Sequence, residues 1–269
     1  MHRATALLVT GALAAAATLL MAAGPASGSA QYHRPIIAIG ANQSNNWSGY
    51  NQGMLEKGIQ FHQISGSWAV PTATKHKSGE AEYSASWVGI GGGCVNAQCT
   101  VGDATLIQAG TSQNVDSSGS ASYDAWYELI PAPSITVSLA VKAGDQVHVD
   151  IREGMPEVWT ILIQNVTTGQ SFSTTVPYSS TYATAEWVEE TPVVIDNGGH
   201  ASVGPMPNLS TVKFDSGLAN NTNPNLISSE AIQLVDFNAQ VLATPSSPDS
   251  DADGFNDCTY ATSCASFAS

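Results

Sequence analysis

The chain has 269 residues, a formal net charge of −14, and 8 Lys and Arg against 22 Asp and Glu. Basic residues this few and this scattered exclude a nucleic-acid-binding face, which needs clustered cations against phosphate. When the carboxylates protonate, the net charge moves towards zero instead of becoming strongly positive, a composition suited to work in acid.

In chain order, His2 and Arg3 precede an apolar run over 4–23, followed by Gly24-Pro25-Ala26-Ser27-Gly28-Ser29-Ala30. That order reads as a secretory signal peptide over 1–30, with cleavage after Ala30. A membrane anchor is the alternative, but the small-residue exit favours export, and no later segment is apolar enough to span a bilayer. Residues 31–41 form a short leader, and 42–269 read as one domain without an internal repeat. The expected product is extracellular, free of the membrane after signal cleavage, and a monomer.

From there the chain has β grammar. Runs rich in Val, Ile, Thr, Tyr and Trp alternate with Gly, Ser, Asn and Pro clusters. They predict strands over 59–70, 84–90, 105–109, 123–129, 135–139, 146–152, 159–165, 171–176, 185–188, 210–214 and 231–235. Residues 147–151 and 159–163 read as a hairpin turned by Gly154-Met155-Pro156, and 165–170 as a second turn. The best short helical pattern, 208–212, reads as a loop entering a strand. A Pro/Ser-rich connection over 244–251 leads to a last small element. So many short strands predict an all-β sandwich or barrel. Cys94 with Cys99 and Cys258 with Cys264 are expected as local disulfides of an exported protein.

Alternation also sorts the polar side chains by face. Asp124, Trp126 and Glu128 share one face of their strand; Glu186, Val188 and Glu190 share one of theirs; Leu106 and Gln108 share a third. A face carrying Gln, Asp, Trp and Glu is either a solvated outer surface or a concave cleft. Trp is a poor choice for a solvated surface, which favours the cleft.

Six ordered motifs carry a specific resemblance. They are Asn46-Trp47-Ser48-Gly49-Tyr50, Ser67-Trp68-Ala69-Val70-Pro71 and Ser86-Trp87-Val88-Gly89-Ile90-Gly91-Gly92, then Leu106-Ile107-Gln108-Ala109-Gly110, Tyr123-Asp124-Ala125-Trp126-Tyr127-Glu128 and Ala185-Glu186-Trp187-Val188-Glu189-Glu190. This series resembles the glutamic peptidases, the eqolisin family of acid endopeptidases, and suggests a secreted bacterial member. The resemblance implies a jelly-roll-like sandwich of two large antiparallel sheets, with the cleft on the concave sheet. It also implies Gln108 and Glu190 as the catalytic pair, Trp87, Asp124, Trp126 and Glu128 at the substrate cleft, protein or peptide substrates, and no required cofactor. The residue types suit the chemistry. A carboxylate can act as base in acid, where histidine is already charged, and an amide can hold an oxyanion at any pH. Two departures stand out: Gly91 occupies a position that is commonly acidic in fungal members, and the leader is shorter than the prosegments common in the family.

Other motifs carry less. Phe214-Asp215-Ser216-Gly217 and Asp116-Ser117-Ser118-Gly119 read as turns, since paired-Asp catalysis needs two matched loops. Over 249–257, alternating carboxylates with Gly254 at position six resemble a calcium loop. Tyr260 stands where the closing Glu is needed, so the segment reads as a solvated acidic turn, and no metal site is expected. His33, His62, His76, His148 and His200 read as structural or exposed. The rival functions are a glycoside hydrolase using two of Glu128, Glu186 and Glu190, and a sugar-binding module stacking on Trp87 and Trp126. Glu186 and Glu190 lie roughly 13 Å apart by strand rise, too far to be that hydrolase's pair.

Overall fold

Period-two alternation becomes two packed sheets. A computed structural model describes residues 30–195 and 198–268; of the signal sequence read over 1–30, all but Ala30 lies outside the described residues. One sheet runs, neighbour to neighbour, through Ile135–Thr136, Ala121–Leu129, Leu106–Val115, Ala85–Gly91, Thr184–Glu190, Trp47–Gly53 and Ala231–Val235. The other runs through Val241–Pro245, Phe255–Thr259, Val212–Ala219, Gln63–Ala69, Gln146–Met155, Val158–Asn165 and Gln170–Pro177. The hairpin from Ala231–Val235 to Val241–Pro245 carries the hydrogen bonding from one sheet into the next. All pairings along this path are antiparallel, as the all-β sandwich expectation requires.

The core lies between the sheets. Val88, Ile90, Ile107, Ala109 and Trp187 from the first meet Ile64, Trp68, Val149, Ile151, Ile161 and Phe214 from the second, all buried. Each large side chain so buried contributes about 1.5–3 kcal/mol. Two indoles spanning the layers satisfy their N–H groups: Trp68 donates to Thr111 Oγ1 at 3.0 Å and Trp187 to the Ser65 carbonyl at 2.9 Å. Cys94–Cys99 and Cys258–Cys264 are paired locally, with Cα separations of 4.8 and 5.5 Å.

Three local readings need correction. The hairpin strand runs through to Met155, with a register shift after Glu153, so the turn is Pro156-Glu157, where Glu157 takes φ +60°. Phe214-Asp215-Ser216-Gly217 is not a turn but lies inside the strand Val212–Ala219. A bulge between Asp215 and Leu218 absorbs the extra residues, with Ser216 at φ +55° and the strand re-pairing with Gln63–Ala69 on both sides. A one-turn helix, Met54–Lys57, follows Trp47–Gly53 without an amphipathic pattern to announce it. No helix among the described residues is long and apolar enough to cross a membrane.

The leader is not loose. Ala30–Tyr32 pairs with Val193–Ile195, which in turn pairs with Ala201–Val203, forming a small separate sheet.

Candidate active site

Four adjacent strands of the first sheet build the site, and their register arranges its side chains in rows. Glu190, Ala85, Ser112 and Asp124 form one row; Val188, Trp87, Gly110 and Trp126 the next; Glu186, Gly89, Gln108 and Glu128 a third. Rows two residues apart point to the same face. Every site residue expected from the sequence therefore lies on one face of one sheet. Glycine at 89 is required here, because a Cβ there would stand 2.9 Å from the Trp87 ring. Gly91 is also forced: it has φ +95°, and a Cβ would meet the Thr105 carbonyl at 2.2 Å. No side chain, acidic or otherwise, fits at this position, which accounts for the departure seen in the sequence.

Gln108 Nε2 donates to Glu128 Oε2 at 2.9 Å, and both residues are buried. Burial first, and then the charge of Glu190, push the Glu128 carboxyl up to about 9. Glu128 is therefore a neutral acid across the acidic and neutral range, and is close enough to Glu190 to feel its charge. Glu190 Oε2 accepts from Trp87 Nε1 at 2.9 Å. Among the described residues, no direct hydrogen bond joins Gln108 to Glu190; the Gln108 amide is held by Glu128 instead. Asp124 lines a recess with Ser112, Trp126, Ser134 and Thr136, and burial raises its carboxyl against the opposing pull of His33. Glu186, on the same face but fully buried, is raised well above the usual range by desolvation.

Sequence reasoning missed His33. Expected to be structural or exposed, it is 2 % exposed, and its Nδ1 lies 2.9 Å from Glu190 Oε2. Its ring stacks on Trp126 with centroids 3.7 Å apart and planes within 2°. The Arg34 backbone N–H reaches Glu190 Oε1 at 3.3 Å. A leader without periodicity gave no signal for this; the proximity of an imidazole to the predicted export junction was the only hint. With His33 over Trp126 and both indoles buried, neither Trp87 nor Trp126 is an open stacking platform.

The acidic segment 249–257 is not a solvated turn. Asp249 and Asp257 are 8 % and 1 % exposed, and burial pushes Asp257 up to about 7. Asp215 from the bulge joins Asp249 and Asp253, their ligand atoms within 4.8 Å of one another, while Asp251 stays exposed and Lys213 Nζ lies 2.7 Å from Asp215.

The comparisons with known proteins agree with this architecture. A sequence profile described as the Peptidase A4 family matches residues 45–254. Aspergillopepsin-2 of Aspergillus niger is 28 % identical over 169 residues, 55 % of this chain and 56 % of its own length. Scytalidopepsin B of Scytalidium lignicola is 29 % identical over 142 residues, 52 % of this chain and 47 % of its own. The chain thus matches about half the length of these curated relatives. Among solved structures, scytalido-glutamic peptidase with a transition-state analogue inhibitor superposes with a TM-score of 0.60 at 20 % identity, over 80 % of this chain and 98 % of that one. Aspergilloglutamic peptidase from Aspergillus niger gives 0.52 at 22 %, over 66 % and 99 %. At such identities these likenesses bear on the fold: a β-sandwich.

Proposed function

The chain belongs to the Peptidase A4 family, and from that premise we propose that it is a secreted endopeptidase working in acid on proteins or peptides, with Gln108 and Glu190 as its catalytic pair. Glu190 takes a proton from water as the water oxygen attacks the peptide carbonyl. The Gln108 amide donates to the oxyanion, and protonated Glu190 then delivers its proton to the leaving nitrogen. Glu128, itself neutral, holds the Gln108 amide in place through the 2.9 Å bond, so orienting that donor adds no charge to the cleft. Trp87, Asp124, Trp126 and Glu128 form the surrounding walls.

The observation that carries this reading is the way the face is used. The chain that follows the strand Ala30–Tyr32 meets it at His33 and Arg34, and the Arg34 peptide nitrogen lies 3.3 Å from Glu190 Oε1. A cleft shaped for a peptide backbone favours protein over polysaccharide.

The test offers denatured protein and plain polysaccharide from pH 2 to 7 to wild type, Gln108→Ala and Glu190→Gln. Wild type is expected to cut protein only, with its highest rate in acid. Losing one preorganised oxyanion donor lowers kcat by about 10²–10³. Glu190→Gln, which keeps shape but can take no proton, is expected to abolish turnover with an unchanged melting temperature. Retained turnover in that variant removes the dyad, and sugar hydrolysis removes the peptidase.

A further inference from the structure

The acidic loop before the last strand belongs to the second sheet, while the candidate active site lies on the first. Counted from Asp249, it places carboxylates at positions one, three and five, Asp249, Asp251 and Asp253, and glycine at six, Gly254. A loop of that spacing closes on a cation with a further carboxylate at position twelve, where this chain has Tyr260. The fold brings a carboxylate from elsewhere. Asp215, on the bulge of Val212–Ala219, offers an oxygen within 4.8 Å of those of Asp249 and Asp253. The Gly217 N–H bonds the Asp253 carbonyl at 2.9 Å and fastens bulge to loop.

The oxygens of Asp249 have two different fates. Oδ1 accepts from the N–H groups of Asp253 and Gly254, each at 3.2 Å. Oδ2 is shut off from solvent on a residue only 8 % exposed, and it has no hydrogen-bond partner among the described residues. Asp253 Oδ1 is in the same condition. A buried acceptor left bare is costly, and two in one cluster of carboxylates call for a positive partner. Lys213 Nζ meets Asp215 at 2.7 Å from an exposed position, one ammonium against four carboxylates. Gly254 makes room for the approach, since a Cβ there would stand 2.9 Å from Asp249 Oδ2.

We propose that Asp215, Asp249 and Asp253 bind a calcium ion, with Asp251 on its solvent side, and that the ion clasps the C-terminal segment to the second sheet. This goes beyond the peptidase reading and does not rest on it. The spacing selects the ion. Calcium takes oxygens at about 2.3–2.6 Å, so ligands on opposite sides of it stand about 4.8 Å apart, the span of this cluster. Magnesium holds ligands at about 2.0–2.1 Å in a strict octahedron, which is too tight. Zinc prefers nitrogen and sulfur, and this cluster offers only oxygen.

The full chain is stripped with a chelator at about pH 7.5, where free carboxyls are ionised. Calcium, magnesium or terbium is then returned to wild type, Asp215→Asn and Asp253→Asn. Calcium at about 10 mM, a hundredfold over a Kd of about 10⁻⁴ M, is expected to raise the wild-type melting temperature by about 5–10 °C, and magnesium by far less. Terbium, which takes calcium sites, is expected to emit when indoles are excited. The Trp187 ring is close by: a Cβ on Gly217 would stand 3.1 Å from its Nε1 and 2.7 Å from the Asp253 carbonyl oxygen. Both variants are expected to lose the emission and most of the calcium shift. In chelator Asp253→Asn is expected to melt no lower than wild type, because without the ion the lost charge only relieves repulsion; a lower value there would mark a packing role and count against the site. No calcium shift in wild type overturns the proposal. So does an equal shift from magnesium, or an undiminished one in both variants, since either is charge screening on a chain of net charge −14. The wild-type arms decide even where a variant does not fold.

Discussion

Glu128 is the residue whose role the geometry changes most. The sequence put it at the cleft; the structure makes it the acceptor that fixes the Gln108 amide, with its own proton retained up to about pH 9. A neutral partner can be replaced by a neutral one. Glu128→Gln is expected to keep most of the kcat/KM below pH 6, whereas Glu128→Ala frees the amide and lowers it by at least about tenfold, equivalent to about 1.4 kcal/mol. Steady-state rates on one peptide distinguish the two, and equal losses would make Glu128 a packing group only. Gln108 and Glu190 were singled out by the resemblance to the glutamic peptidases; alternation supplied only the face that they share. His33 was not legible, because its position comes from the route of a leader that carries no pattern of its own.

At the scale of elements, strands were readable wherever alternation lasted five residues or more, and their ends were not. Gly154-Met155-Pro156 looked like a turn, yet pairing carries Met155 on to meet Val158. Asp215-Ser216-Gly217 looked like a turn because those residues favour one, and cross-strand pairing on both sides turned it into a bulge. Propensity is weak against a ladder that is already paired. Gly91 is where an element meets the site. Gly91→Asp combines a positive-φ backbone with a Cβ 2.2 Å from the Thr105 carbonyl, so restoring an acidic residue there is expected to destabilise the fold by about 2–4 kcal/mol. That corresponds to a melting temperature lower by roughly 5–15 °C for a chain of this size. A variant that melts with wild type would show that the loop relaxes freely.

Over the whole molecule, buried carboxylates decide how stability follows pH. Glu186 and Glu189 are raised well above the usual range by desolvation, and Asp257 rises to about 7 for the same reason. Glu189 and Asp257 lie near each other on the side of the sheet away from the cleft, where Ser86 Oγ donates to Glu189 Oε2 at 2.5 Å. Below about pH 4 both folded and unfolded chains hold these protons, and the groups contribute no difference. As pH rises past about 4, the unfolded chain releases them and the folded chain does not, so stability falls until the folded values are passed. The melting temperature is therefore expected to be highest in acid and to drop between pH 4 and 8. Asp257→Asn, neutral at every pH, should flatten part of that decline, and an undiminished slope would exclude Asp257 as a cause. The carboxylate cluster over 185–190 marked Glu186 and Glu189 as unusual in the sequence, whereas Asp257 read as part of a solvated turn, because nothing in its pattern says that a carboxyl there has lost its water.

The His33 ring stacked on Trp126 also gives the molecule a built-in optical signal. An imidazole ring stacked on an indole quenches that indole's emission. Trp126 should therefore be dark while covered and brighten when uncovered, with its spectrum shifted to the red by contact with solvent. One indole in six bounds the amplitude, so a stopped-flow trace can time the uncovering without any added dye.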